Sequence, residues 1–143
     1  MTTTEKIIIY QVFTRLFGNK KIGCRPNGTL AENGCGKLDD FTKQALNEIK
    51  KLGATHIWYT GLIAHATQTD YSTYGIPKDH PSIVKGKAGS PYAIKDYYDI
   101  DPDLAVHVDK RMEEFEALVE RTHACGLKVI IDFVPNHVAR QYH

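Results

Sequence analysis

Apolar residues along this chain fall into three short β-rich runs separated by two stretches with helical spacing. Ile7 to Phe13 is short, mostly apolar and β-branched, which predicts a buried strand. Leu38, Phe41, Ala45, Leu46, Ile49 and Leu52 recur at helical intervals and predict a helix over 38–52 with one apolar stripe. Asp39 and Asp40 in its first turn and Lys50 and Lys51 in its last complement the helix dipole, and Gly53 suits the stop. Ala54 to Thr60 predicts a second strand. A second helix is expected from an Asp109 N-cap, with Phe115, Leu118 and Val119 as its stripe and Gly126 at its end. Leu127 to Phe133 predicts a third strand, apolar without alternation, as in a strand covered on both faces.

Between these elements lie two loops. Residues 18–36 are rich in Gly, Asn and Pro, and residues 61–107 show no helical pattern. A loop as long as the second is usually functional or disordered. Its tyrosines, Tyr71, Tyr74, Tyr92, Tyr97 and Tyr98, argue for order. The order β-loop-α-β-long loop-α-β implies an α/β fold with a parallel sheet and right-handed crossovers. Both loops leave the C-terminal ends of strands, where parallel α/β folds and barrels collect their chemistry.

Composition narrows the field. The chain has 143 residues, 42% hydrophobic and 24% charged, with a net charge of +1. Such a balance carries no electrostatic footprint for nucleic acid or an anionic membrane. No run of ~18 apolar residues predicts a membrane span, and Met1 to Lys6 lacks the pattern of a signal peptide. Cys24, Cys35 and Cys125 are too few for a disulfide scaffold; Cys24 and Cys35 could bridge in an oxidising compartment, and three free thiols is the favoured reading. Asp99-x-Asp101-x-Asp103 mimics an EF-hand start, but Leu104 occupies the glycine position. Gly86-Lys87-Ala88-Gly89-Ser90 has the wrong spacing for a P-loop.

The densest chemistry follows the third apolar run, where Asp132, Asn136 and His137 bring a carboxylate, an amide and an imidazole together. Asp132, within that run, needs a partner, because a buried carboxylate is costly unless paired or hydrogen-bonded. Trp58 is read as a core or barrel-layer residue, with sugar stacking as the lesser reading, and His65 and His80 as loop packing, with substrate contact as the alternative. Tyr97 and Tyr98 are expected to anchor the long loop through their hydroxyls. Gln11 and Arg15 end the first strand without an assigned role.

Asp132-Phe-Val-Pro-Asn136-His137 resembles the first signature region of the α-amylase family of glycoside hydrolases. Tyr10 to Phe17 resembles that family's first barrel strand, Leu52 to Thr60 its second, and Pro91 to Pro102 the segment leading to its second helix. The matches keep the family's order and span nearly the whole chain. The resemblance implies the first three β/α units of an incomplete TIM (β/α)8 barrel over residues 1–143, since a whole barrel needs ~250 residues. It implies that His137 contacts the glucose unit at the cleavage subsite and that Tyr92 stacks on it, although Pro91 stands where the family places Gly. Asp132 would support the site floor near an arginine beyond this chain, with Arg15, a lysine or solvent as substitutes. Asn136 would contribute one oxygen to a Ca²⁺ site in the full-length enzyme; the chain itself requires no cofactor.

The family's retaining mechanism uses two carboxylates about 5–5.5 Å apart, and no segment here resembles the signatures that carry them. The parent protein is therefore expected to cleave α-1,4-glucosidic bonds of starch or maltooligosaccharides, in the periplasm or outside the cell, with α-glucan as its partner. The isolated chain is expected to be inactive and to self-associate through open sheet edges. A non-catalytic carbohydrate-binding module, a transglycosidase, and a sucrose- or trehalose-acting relative are the alternatives.

Overall fold

A computed structural model describes residues 6–142. Strands β1 (Ile9–Phe13), β2 (His56–Thr60) and β5 (Lys128–Ile131) form one parallel sheet in the order β1-β2-β5. Its register places Gln11, Trp58 and Ile130 side by side, with Val12, Tyr59 and Ile131 in the next row. Two helices supply the crossovers, α2 (Lys43–Lys51) between β1 and β2 and α3 (Arg111–Ala124) before β5. This is the α/β architecture with a parallel sheet that the apolar pattern implies.

The core lies on one side of this sheet. Ile57 and Tyr59 of β2 are fully buried there with Leu46 and Ile49 of α2, Leu118 of α3, and Leu38, Phe41 and Leu104 from the connections. Phe41 stacks on Phe17 at 4.2 Å and meets Tyr59 edge-on at 4.9 Å. The Tyr59 hydroxyl would be costly among these groups without a partner. It lies 2.7 Å from Thr122 Oγ1 in α3, and burial pushes its phenol up to about 12. Arg121 donates to the carbonyls of Leu38 and Phe41, tying α3 to the turn ahead of α2.

Four expectations change. The helix over 38–52 divides into a 3-10 turn at Leu38–Asp40 and α2, because Asp40 accepts from the Lys37 amide and Thr42 then caps α2 by accepting from Ala45 N. Asp109 does not cap α3. It lies in a 3-10 turn, Val108–Lys110, and Glu114 reaches back to the amides of Val106 and His107 instead. Residues 18–36 contain one helical turn, α1 (Leu30–Asn33), closed by a Thr29–Glu32 capping box. Finally, the long loop holds an antiparallel pair, β3 (Ile63–His65) and β4 (Ile94–Ile100), with irregular register. A three-residue strand gives no period to read, and Lys95-Asp96-Tyr97-Tyr98-Asp99 hides the alternation of β4.

The third apolar run is also shorter in the sheet than expected, and β5 is not covered on both faces. It is an edge strand whose Lys128 and Ile131 are exposed, and Phe133 beyond it is 74% exposed. Leu118→Ala would open a cavity beneath β2 and α3. A loss of about 2–5 kcal/mol in urea denaturation is the expected result.

Candidate functional site

Asp132 sits one residue past the end of β5, half-buried rather than inside the strand. Its two oxygens are divided between β2 and the turn just past it. Oδ1 accepts from Trp58 Nε1 at 2.7 Å, and Oδ2 accepts from the Gly61 amide at 3.0 Å. Asp132 therefore finds its partners on the adjacent strand and its turn, not in Arg15 or a lysine. Trp58 is correspondingly more than a core residue. Its ring lies half-buried on the sheet face opposite Ile57 and Tyr59, and its N–H fixes the carboxylate.

Gly61 makes this arrangement possible. Its φ of 80° is left-handed, and a Cβ there would lie 3.0 Å from Pro91 Cβ and 3.1 Å from Phe13 Cε2. Pro91, which departs from the family pattern, thus packs against the turn that holds Asp132. The next residue, Tyr92, is 42% exposed, so its ring is open to solvent beside that turn.

Residues 133–142 lie against the antiparallel pair. Tyr97 donates its hydroxyl to the Val134 carbonyl, and its ring packs against Phe133 and Tyr142 at 5.8 and 5.9 Å. Ala139 N donates to Ile94 O at 2.7 Å, and His80 N to Gln141 Oε1 at 2.7 Å. On the segment so fixed, Asn136 and His137 are exposed, with Asn136 Oδ1 2.7 Å from His137 Nδ1. That contact sets the His137 tautomer with Nδ1 as donor. Tyr97 anchors as expected, but Tyr98 does not, being 90% exposed. His80 caps a short 3-10 turn by accepting from Ser82 N.

Asn136 Oδ1 engages His137, and among the described residues no three His, Cys, Asp or Glu side chains are grouped to hold a metal. The three cysteines are free thiols, and burial pushes Cys35 up to about 11.

A second polar constellation joins the end of β1 to the long loop. Arg15, leaving β1, pairs with Asp103 and lies 3.8 Å from Asp101. Both carboxylates are fully buried. Tyr71 donates to Asp103 Oδ1 at 2.5 Å, and His65 Nε2 lies 2.5 Å from Asp101 Oδ2. Asp101 and Asp103 belong to the spacing set aside as a false EF-hand. The signal was there, in two carboxylates flanking Pro102 just after an apolar Ile100, but a lone sequence shows no counter-charge for them.

An open parallel layer with its polar groups past the strand ends is the geometry of a barrel enzyme's working face. The family description "Alpha amylase, catalytic domain" matches residues 11–143, and the chain belongs to the α-amylase family. It is 27% identical over 141 residues to a cyclomaltodextrin glucanotransferase of Bacillus sp. (strain 38-2), covering 92% of this chain and 18% of that protein. An alpha-amylase structure from Lactobacillus plantarum superposes with a TM-score of 0.64 at 29% identity, covering 95% of this chain and 24% of that one. A trehalose-6-phosphate hydrolase from Bacillus licheniformis gives a TM-score of 0.60 at 27% identity, covering 96% and 18%. The chain thus spans about a fifth of the length of the cyclomaltodextrin glucanotransferases it matches.

Asp132→Ala would strand the Trp58 N–H and the Gly61 amide. A loss of about 1–3 kcal/mol is expected in urea denaturation. The emission of Trp58, the chain's single tryptophan, should shift in the folded state as its indole loses the carboxylate.

Proposed function

We propose that this chain forms the first three β/α units of a (β/α)8 barrel and supplies one wall of a glucose-binding subsite in an enzyme that cleaves α-1,4-glucosidic bonds with retention. Maltooligosaccharides and starch-like α-glucans are the substrates of this reading. Tyr92 offers its ring to the apolar face of a pyranose. His137, with Nδ1 committed to Asn136, has Nε2 free to accept from a sugar hydroxyl, and on protonation to donate. Asp132 is a positioning residue: it holds Trp58 and the Gly61 turn, and through Pro91 the approach of the Tyr92 segment. The observation that carries the reading is this Asp132 contact with Trp58 and Gly61, which brings the signature region and the Pro91–Tyr92 segment to one rim.

The residues present position sugar rather than break a bond. The buried carboxylates Asp101 and Asp103 are occupied by Arg15, His65 and Tyr71, so neither is available as nucleophile or general acid. A second reading, transfer to a sugar hydroxyl instead of water, draws support from the glucanotransferases among the relatives. The two readings share the subsite and differ only in the acceptor.

Titration of the 143-residue chain with maltohexaose, followed by Trp58 emission, tests the proposal. Saturable binding that falls at least about tenfold (1.4 kcal/mol) in both Tyr92→Ala and His137→Ala is expected, without release of reducing ends. Binding indifferent to both substitutions would overturn the subsite. Sustained hydrolysis would overturn the division of labour. The free edges of β1 and β5 further favour association of the chain with itself. Sedimentation should show species larger than a monomer at high concentration.

A further inference from the structure

His65 closes β3 with its side chain only 2% exposed, and both of its ring nitrogens face oxygen. Nε2 lies 2.5 Å from Asp101 Oδ2, and Nδ1 lies 3.2 Å from the Ala66 carbonyl. A carbonyl only accepts, and an ionised carboxylate only accepts. A neutral imidazole donates from one nitrogen, so either tautomer would press a lone pair against an oxygen. Only the imidazolium both donates to the Ala66 carbonyl and sets a positive charge, rather than a lone pair, against Asp101 Oδ2, an oxygen that accepts no hydrogen bond and is met by charge alone.

The surrounding charges lead to the same state. Asp101 and Asp103 are fully buried, and Arg15 is the one guanidinium among them. Tyr71 faces Asp103 as a neutral donor, its phenol pushed up by burial and by that carboxylate. Lys37, only half-buried, donates to the Asp103 carbonyl. Cys35 nearby stays a thiol, pushed up to about 11 by burial. Across a cavity of about 210 Å³ stand Lys95, Asp96, Asp99 and Arg111. Of these, Lys95 is paired with Asp79 and Arg111 with Asp99. Two buried anions with one buried guanidinium leave a deficit of one positive charge, and His65 is placed to supply it.

We infer that the His65 imidazolium, seated against Asp101 and the Ala66 carbonyl, acts as the charged fastener of the loop between β3 and β4, which deprotonation releases. The loop leaves β3 at His65 and returns through β4 to Asp101, so the pair joins its two ends. Tyr71 fastens its middle to Asp103. At the exit, Gly89 packs its backbone against the same place. A Cβ there would lie 1.8 Å from Ala66 O and 3.4 Å from His65 Nδ1, at a left-handed φ of 77°. Tyr92 follows three residues later, so the His65 charge also governs how firmly the Tyr92 segment is held.

The pH dependence has a definite sense. Burial pulls the His65 imidazolium down, but Asp101 beside it outweighs this and leaves the group above its ordinary 6.5. Its contribution is therefore complete below pH 6.5 and disappears as pH rises through the higher folded value. Burial pushes Asp101 up, but His65 and then Arg15 outweigh this and hold it below 3.8. That contribution is complete above pH 3.8 and is lost as pH falls through the folded value. The fastener is at full strength between these limits and opens on the alkaline side.

The test is an NMR titration of the imidazole signals of the 143-residue chain, with His65 identified by its loss in His65→Gln. A ring doubly protonated at pH 7, titrating above its free value, is expected. Proteolysis within residues 66–93 should then accelerate with pH, by up to about tenfold per unit above that titration, in the native chain but not in His65→Gln. A ring that titrates at or below its free value overturns the inference, as does loop cleavage with the same pH slope in both chains. Should His65→Gln fail to fold, assignment through the Asp101 side-chain contact in the native chain decides the matter by the titration alone.

Discussion

Parallel pairing on both edges of β2 is the constraint on which the rest depends. β2 bonds to β1 through Ile9↔His56 to Phe13↔Thr60 and to β5 through His56↔Lys128 to Tyr59↔Ile131. Parallel neighbours cannot be joined by a tight turn, so each pairing requires a crossover. α2 and α3 are those crossovers, and both lie on the side where Ile57 and Tyr59 are buried. The opposite side is left to Gln11, Trp58 and Ile130. Since the three strands end at nearly the same level, the groups just past them, Thr14 and Arg15, Gly61, and Asp132, fall on one rim. The meeting of Asp132 with Trp58 and Gly61 is a consequence of register before it is a property of the site.

Two polar arrangements on that rim follow different physics. Around Asp132 the carboxylate is half-buried and satisfied by neutral N–H donors, so its charge is stabilised by hydrogen bonds alone. Around Asp101 and Asp103 burial is complete, and charge must be met by charge. Removing one member of such a group costs more than the group contributes as a whole, because the remaining charge is left unpaired. The first arrangement lies beside the exposed Tyr92; the second fastens the loop that carries it.

How much could be read from the residues follows from these distinctions. The three parallel strands and two helices were legible because unbroken β-rich apolar runs and an i, i+3, i+4 stripe are strong local signals. Asp132, Asn136 and His137 were legible as a cluster for the same reason, being close in sequence. Trp58 and Gly61 were not seen as partners of Asp132, because they lie 74 and 71 residues away and only strand register brings them together. The β3–β4 pair escaped because Ile63-Ala64-His65 is too short for a period. The charged cluster escaped because its members come from four separate stretches, and the carboxylates of Asp101 and Asp103 show no counter-charge near them in the sequence.

The docking of residues 133–142 across β4 has a bearing on how the chain assembles. Val134, Ala139 and Gln141 are held by Tyr97, Ile94 and His80, groups made much earlier in synthesis. The β3–β4 pair and the charged cluster between Arg15 and Asp103 are made of residues that precede this segment in the chain. Asn136 and His137 are displayed on a stretch that borrows its shape from a template older than itself.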